Sequence, residues 1–501
     1  MESKFKHPFL DIDAYKFVHL HQYPAGTEWL YLTWTPRKSK IEDLTHVVHY
    51  GLQGALMEIA EEWHNGFFSR PFAEIEKEYI ETGKCLYATT NPDFANNIDT
   101  THLRKVHELG YLPLRFKAVP EGTFVPIGAA TFTVENTVPH AYWLPGYFES
   151  NLSSRMWMPT LAATLANKKR RILKKYADLS GDPERVFFQC CDFSMRGTSS
   201  PESAIRASGG HLTSFAAAST VGVRKYLMTC YDAPPDVTIH TPSTEHSVIT
   251  SYGQDELATY THLMTAVHPT GNFSIVADSY DFWGVIDNIL PQLKDKIIAR
   301  NGKTIIRPDS GDPTLILVGD PNSPVESVRK GLVQRMAEIF GTTTNDKGFK
   351  VLHPKVGVIY GDLITAPVIT AVCEGLMKKG FATTNVNFGV GSKAYQANLR
   401  DTFGFAMKAT CAKIDGEIRQ IFKDPITDVE RTKKSQRGMV ALVEHPDGRR
   451  EFIQELTPET EAEVKNNLYQ DVFVDGKFTN TQTFADIRER IKKESIKIYG
   501  V

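Results

Sequence analysis

The chain has 501 residues, enough for two or three domains and for a core that needs no disulfide or metal staple. Its 41% hydrophobic, 23% charged and 11% aromatic content excludes a disordered or fibrous chain. Lys plus Arg number 57 and Asp plus Glu 59, a net charge of −2, which excludes a broadly basic binder of nucleic acid or anionic membrane; anion binding has to come from local clusters.

The six cysteines (Cys85, Cys190, Cys191, Cys230, Cys373 and Cys411) form no CxxC pair and read as reduced thiols. Residues 1–8 lack the apolar stretch of a signal peptide, and no run approaches the roughly 18 apolar residues of a membrane span. These features predict a soluble cytoplasmic protein with no membrane and no nucleic-acid partner. The absence of an internal repeat excludes solenoids.

In chain order, residues 29–34 and 112–119 read as strands, with hairpin material to Glu135. A helical pattern over 164–177 carries Lys168, Lys169, Arg170, Arg171, Lys174 and Lys175, expected to form a solvated face. From about 185 the pattern changes. Six short apolar runs, at 186–191, 236–240, 273–276, 304–306, 356–360 and 386–388, each lead into a polar or glycine-bearing loop and then a helical segment. Helices are expected at 282–293, up to Lys379, and after Ser392. This repetition predicts an α/β fold, with an irregular parallel α/β barrel preferred over a doubly wound open sheet. Beyond about 400, hairpins near Gly416 and at 438–443 precede a helix at 483–494. The expected organisation is a barrel domain at 183–399 and a discontinuous α+β domain built from 1–182 plus 400–501.

Either sheet places its ligand at the carboxyl ends of its strands, so the loops there carry the candidate chemistry. In Arg307-Pro-Asp309-Ser-Gly311, Arg307 can grip a phosphate while Asp309 accepts from sugar hydroxyls. Gly361-Asp362 and Gly389-Val-Gly391-Ser392 offer backbone N–H groups for anions. Two such loops, with Arg196, Arg307, Arg400, Lys408 and Lys423, suggest a ligand bearing more than one phosphate. Glu245-His246 sets a carboxylate beside an imidazole capable of acid–base or nucleophilic work. Phe193 beside Arg196 could stack a planar ring above a held phosphate. Gly302-Lys303-Thr304 is no P-loop, since Ile297 occupies the place of its first glycine and a strand follows. On these residues alone, a barrel phosphohydrolase using Glu245, His246 and a metal stays open.

The same residues, with Asp13-Ala-Tyr15-Lys16, Tyr50-Gly-Leu-Gln53, Lys117-Ala-Val-Pro-Glu-Gly122, Asp278-Ser-Tyr-Asp281 and Phe422-Lys-Asp-Pro425, resemble the nicotinamide phosphoribosyltransferase family of type II phosphoribosyltransferases over most of the chain. The resemblance implies a homodimer with shared active sites that joins nicotinamide to 5-phosphoribosyl 1-diphosphate in NAD salvage. Phe193 and Tyr15 of a second copy would sandwich the pyridine. Arg307 and Asp309 would hold substrate and ribose, with Asp278 nearby, and Gly361, Asp362, Gly391 and Ser392 would line the nucleotide phosphate site. Arg196 and His246 would meet the diphosphate, and Arg37, Arg400, Lys408 and Lys423 would add positive charge. The resemblance further implies Mg²⁺ carried on the diphosphate, and ATP as an optional coupling substrate that phosphorylates His246.

Four positions depart from the family: Ser219 replaces an amide-binding aspartate, Leu363 and Ser392 replace glycines, and Cys191 stands where histidine is usual. Ser219 points toward nicotinate, since a hydroxyl can donate to a carboxylate. A non-catalytic ligand-binding homologue is the third reading.

Overall fold

The computed structural model describes residues 7–427 and 435–501. Residues 1–6, which belong to the segment read as lacking a signal peptide, lie outside the described residues. Among those described, no helix is long and apolar enough to cross a membrane.

The chain divides into two compact units. The first comprises residues 1–161, 229–233 and 399–497, and the second 162–228, 234–398 and 498–501. The first division falls inside the helix Glu149–Ser180, at 161/162, and not after that helix at 182/183 as expected.

The first unit is discontinuous because its sheet is. Thr27–Pro36, rich in aromatic and β-branched side chains suited to a pleated surface, pairs antiparallel with Phe405–Ile414 on one side and Phe132–Asn136 on the other. Glu417–Gln420, Leu114–Ala118, Gln470–Val474 and Lys477–Phe478 complete a seven-stranded sheet. Trp34, fully buried, stacks on Phe405 at 5.4 Å and on Phe132 at 6.0 Å, locking strands from both ends of the chain into one core. The helix expected at 483–494 runs longer, Phe484–Tyr499.

The second unit holds the parallel sheet. Its strands are Cys190–Asp192, Ala217–Ala218, Phe273–Val276, Thr304–Arg307, Val356–Tyr360 and Val386–Val390. They are short and apolar because both faces are covered; Ile275, Ile306, Val358 and Phe388 are all buried. Across the sheet the order is 217–218, 190–192, 386–390, 356–360, 304–307, 273–276, all parallel.

The apolar run at 236–240 is not a strand. Instead, residues 239–243 span the two sheet edges through single parallel bridges, Ile239 against Ala217 and Ser243 against Ser274. Pro242, flanked upstream by Pro234 and Pro235, has no N–H to give a ladder; its carbonyl accepts from Ser274 N at 2.8 Å. The ring is therefore an irregular barrel of six strands closed by one non-strand segment.

Two other expectations are corrected. No long helix follows Ser392, only the turn Ser392–Ala394. Tyr395 is drawn into the core instead, its hydroxyl 2.6 Å from His211 Nδ1 and its ring 4.8 Å from Lys169 Nζ. The basic face of the 164–177 helix is likewise not wholly solvated. Lys169 is buried, and burial brings its ammonium down to about 8; Arg170 donates to the Ser214 carbonyl at 2.8 Å.

Candidate active site

Five of the six strands, all but Phe273–Val276, send the loops at their carboxyl ends to one cavity of about 1070 Å³ in the second unit. From the expected set, Phe193, Arg196, Ser219, Arg307, Asp309, Gly361, Asp362, Gly391 and Ser392 line it. Glu245 and Val248 belong to the segment beyond the barrel closure, and Thr198–Pro201 brings in the first turn of the twelve-residue helix Pro201–Leu212. Ser200 caps that helix by accepting from Ser203 N at 3.1 Å. The helix thus presents its positive end to the cavity.

Phe193 is placed by strand and core together. Its N–H donates to Val390 O at 2.9 Å. The preceding Asp192 is fully buried and accepts from Ser194 N (3.0 Å) and Ser208 Oγ (2.5 Å). The Phe193 ring lies against Gly389, where a Cβ would overlap it. In the same way Asp309 lies against Gly361. These glycines are required by close approach and not by backbone angle.

The Arg307 loop is held from beneath. Asp278 Oδ2 accepts from Asp309 N (2.9 Å), Ser310 N (2.8 Å) and Ser310 Oγ (2.6 Å), while Oδ1 lies 3.0 Å from His246 Nε2. Burial alone would raise the Asp278 carboxyl, but these partners outweigh it and hold it below the usual range. The Tyr360 hydroxyl donates to the carbonyls of Ser310 and Gly311. Asp309 is raised, because burial outweighs Arg307, whose Nε stands 3.3 Å from Asp309 Oδ2. Arg307 Nε and Asp309 Oδ1 are buried without a hydrogen-bond partner.

Asp278 and His246 therefore brace the site and do not line the cavity. Tyr15, Arg37, Arg400, Lys408 and Lys423 belong to the first unit. There Arg37, Lys408 and Lys423 line a separate cavity of about 360 Å³ with Gln436 and Gln454. Arg37 Nε donates to Gly404 O at 2.8 Å, and Lys408 Nζ lies 3.4 Å from Glu149, which also pairs with Lys16 at 2.7 Å. Tyr15 is exposed, edge-on to His19; Arg400 is exposed beside Asp401.

His240 was missed. It lines the cavity beside Phe193, ring centroids 6.2 Å apart, with Nε2 2.8 Å from Ser219 Oγ. It ends an apolar run, as the other loop residues do, but a lone histidine there carried no motif. Leu363 adopts φ +57°, the left-handed region natural to the glycine it replaces. Among the described residues no group of three His, Cys, Asp or Glu could hold a metal ion.

Fold and site define a class: a parallel α/β barrel with a cavity at the carboxyl ends of its strands, lined by Phe193, two arginines and two glycine-bearing loops. Within it, the chain belongs to the nicotinate phosphoribosyltransferase (NAPRTase) family, whose family model matches residues 188–477. It is 38% identical to a nicotinamide phosphoribosyltransferase of Acinetobacter baylyi, covering 97% of each chain. It is 34% identical to another from Mycoplasma pneumoniae, over 87% of this chain and 96% of that one. Among solved structures, the fold resembles human nicotinic acid phosphoribosyltransferase, with TM-score 0.56 and 14% identity over 97% of this chain and 93% of that one. It also resembles a nicotinate-nucleotide pyrophosphorylase from Pyrococcus furiosus, with TM-score 0.59 and 13% identity over 99% and 97%.

Proposed function

We propose that this protein transfers the phosphoribosyl group of 5-phosphoribosyl 1-diphosphate to nicotinamide, giving nicotinamide mononucleotide and diphosphate in NAD salvage. The observation that carries this reading is the single cavity in which Phe193, the Arg307–Asp309 pair and the Gly361 and Gly391 loops converge. Relatives named nicotinamide phosphoribosyltransferase, similar over nearly the whole chain, support it.

In this mechanism Phe193 stacks the pyridine and aims its ring nitrogen at the ribose C1. The glycine loops and the Pro201–Leu212 N-terminus take the phosphate groups, and Asp309 Oδ1 accepts from a ribose hydroxyl. As the C1–diphosphate bond breaks and the ring takes on oxocarbenium character, Arg196 and Arg307 stabilise the charge that moves onto the departing oxygens. The pyridine nitrogen is unprotonated at neutral pH and needs no general base. Mg²⁺ suits this cavity as a passenger of the diphosphate, with Asp309 and Asp362 offering oxygens, and would neutralise leaving-group charge. His246, half exposed and braced by Asp278, is the group that ATP would phosphorylate. A homodimer supplies Tyr15 from a second copy, and Arg37, Arg400, Lys408 and Lys423 add positive charge, part of it across the dimer interface.

Nicotinate is the second reading, raised by Ser219 in place of an aspartate, because a hydroxyl does not repel a carboxylate as an aspartate would. Initial rates with Mg²⁺, 5-phosphoribosyl 1-diphosphate and either pyridine, with and without ATP, decide between them. Faster mononucleotide formation from nicotinamide is expected; faster turnover of nicotinate reverses the substrate assignment, and binding without turnover supports a non-catalytic protein. Sedimentation equilibrium checks the dimer.

A further inference from the structure

An isolated serine hydroxyl can both donate and accept, so Ser219 by itself reads neither a carboxamide nor a carboxylate. Its neighbour removes that freedom. His240 Nε2 lies 2.8 Å from Ser219 Oγ, and both residues line the cavity beside Phe193. We propose that His240 is a positioning residue that fixes the direction of the Ser219 hydroxyl and thereby makes the pyridine subsite choose carboxamide over carboxylate; this rests on the phosphoribosyltransferase reading above.

The Thr241 backbone favours an N–H on the His240 ring. Because Nε2 is engaged by Ser219, that hydrogen falls on Nδ1. A neutral imidazole carries one N–H, so Nε2 is left as an acceptor and takes the Ser219 hydroxyl hydrogen. Ser219 Oγ then turns only lone pairs toward the cavity. It accepts from a carboxamide NH₂ and meets a carboxylate with like polarity, so a Ser–His pair performs the accepting task of the aspartate it replaces.

The ring stays neutral for physical reasons. Burial lowers its affinity for a proton, and Arg307, the charged group that acts on it, pushes the same way and outweighs the Thr241 backbone. The two side chains it contacts, Ser219 and Phe193, are uncharged. Protonation reverses the relay: Nε2–H donates to Ser219 Oγ, and the freed hydroxyl hydrogen can reach a carboxylate. Selectivity for nicotinamide should therefore decline as pH falls below about 6.5, the ordinary histidine value.

The test compares kcat/KM for nicotinamide and nicotinate in the full-length protein, as wild type, His240→Ala, Ser219→Ala and the double variant, between pH 5.5 and 8. Loss of one fixed acceptor is worth roughly tenfold, so His240→Ala is expected to lower the nicotinamide-to-nicotinate ratio by about that factor and to abolish its pH dependence. In the Ser219→Ala background the same substitution is expected to leave the ratio within about twofold. Calorimetric affinities for the two pyridines report the ratio if a variant turns over too slowly. An unchanged ratio in His240→Ala, or an equal change with and without the Ser219 hydroxyl, overturns the inference alone. Wild-type protein that makes mononucleotide from neither pyridine overturns the reading beneath it as well.

Discussion

Arg307 Nε and Asp309 Oδ1 are buried polar atoms with no hydrogen-bond partner, an arrangement that costs free energy unless a ligand completes it. Arg307→Ala should lower kcat/KM for 5-phosphoribosyl 1-diphosphate by about a hundredfold or more, from loss of a charge-assisted contact, while the circular dichroism spectrum stays unchanged. Arg307→Lys should recover little, because a point charge cannot reproduce the planar fork. Gly389→Ala tests the ring platform. The added methyl displaces Phe193, so the KM for the pyridine should rise about tenfold with the KM for 5-phosphoribosyl 1-diphosphate nearly constant, as measured by initial rates.

At the scale of elements, strands that end in a charged or glycine-bearing loop were legible, because continuous apolar runs such as 273–276 and 356–360 have one stable use, in a covered parallel sheet. The segment at 236–240 misled for the same reason: its Val-Thr-Ile is strand-like, but Pro242 and the need to span two sheet edges override propensity. The missing helix after Ser392 is another tertiary override, Tyr395 being more stable against His211 and Lys169 than on a helix surface. Every residue assigned to the loops after Asp192, Arg307, Tyr360 and Val390 was visible in the sequence. The Ser219–His240 pair was not, because its members lie 21 residues apart and meet only when the barrel closes. The loop after Val356–Tyr360 carries its own prediction. Leu363 is exposed and held in a left-handed conformation that costs a branched side chain about 1–2 kcal/mol, so Leu363→Gly should raise stability by about 0.5–1 kcal/mol after the added chain entropy of glycine. Urea unfolding of wild type and variant measures it.

Across the whole molecule, histidines buried as neutral rings set the acid limit. Burial lowers His49 to about 3 and His102 and His211 to about 4. Each binds its proton more readily when unfolded, so the folded state keeps its full stability above about 6.5, the unfolded value, and loses it as pH falls toward the folded values. The loss is up to about 1.4 kcal/mol per pH unit for each ring. The urea midpoint should therefore drop between pH 7 and pH 5, and His49→Gln, which keeps a polar side chain that does not titrate, should flatten that dependence.

The segment that closes the barrel contributes two single bridges to a sheet whose other members are joined by full ladders. Substitutions within it disturb few backbone pairings, yet one of its residues, His240, faces the ligand cavity. Folding and substrate choice are thus under nearly separate control. A lineage, or an engineer, can revise residues 239–241 to admit a differently substituted pyridine while the six strands keep their pairing and the phosphate loops keep their place.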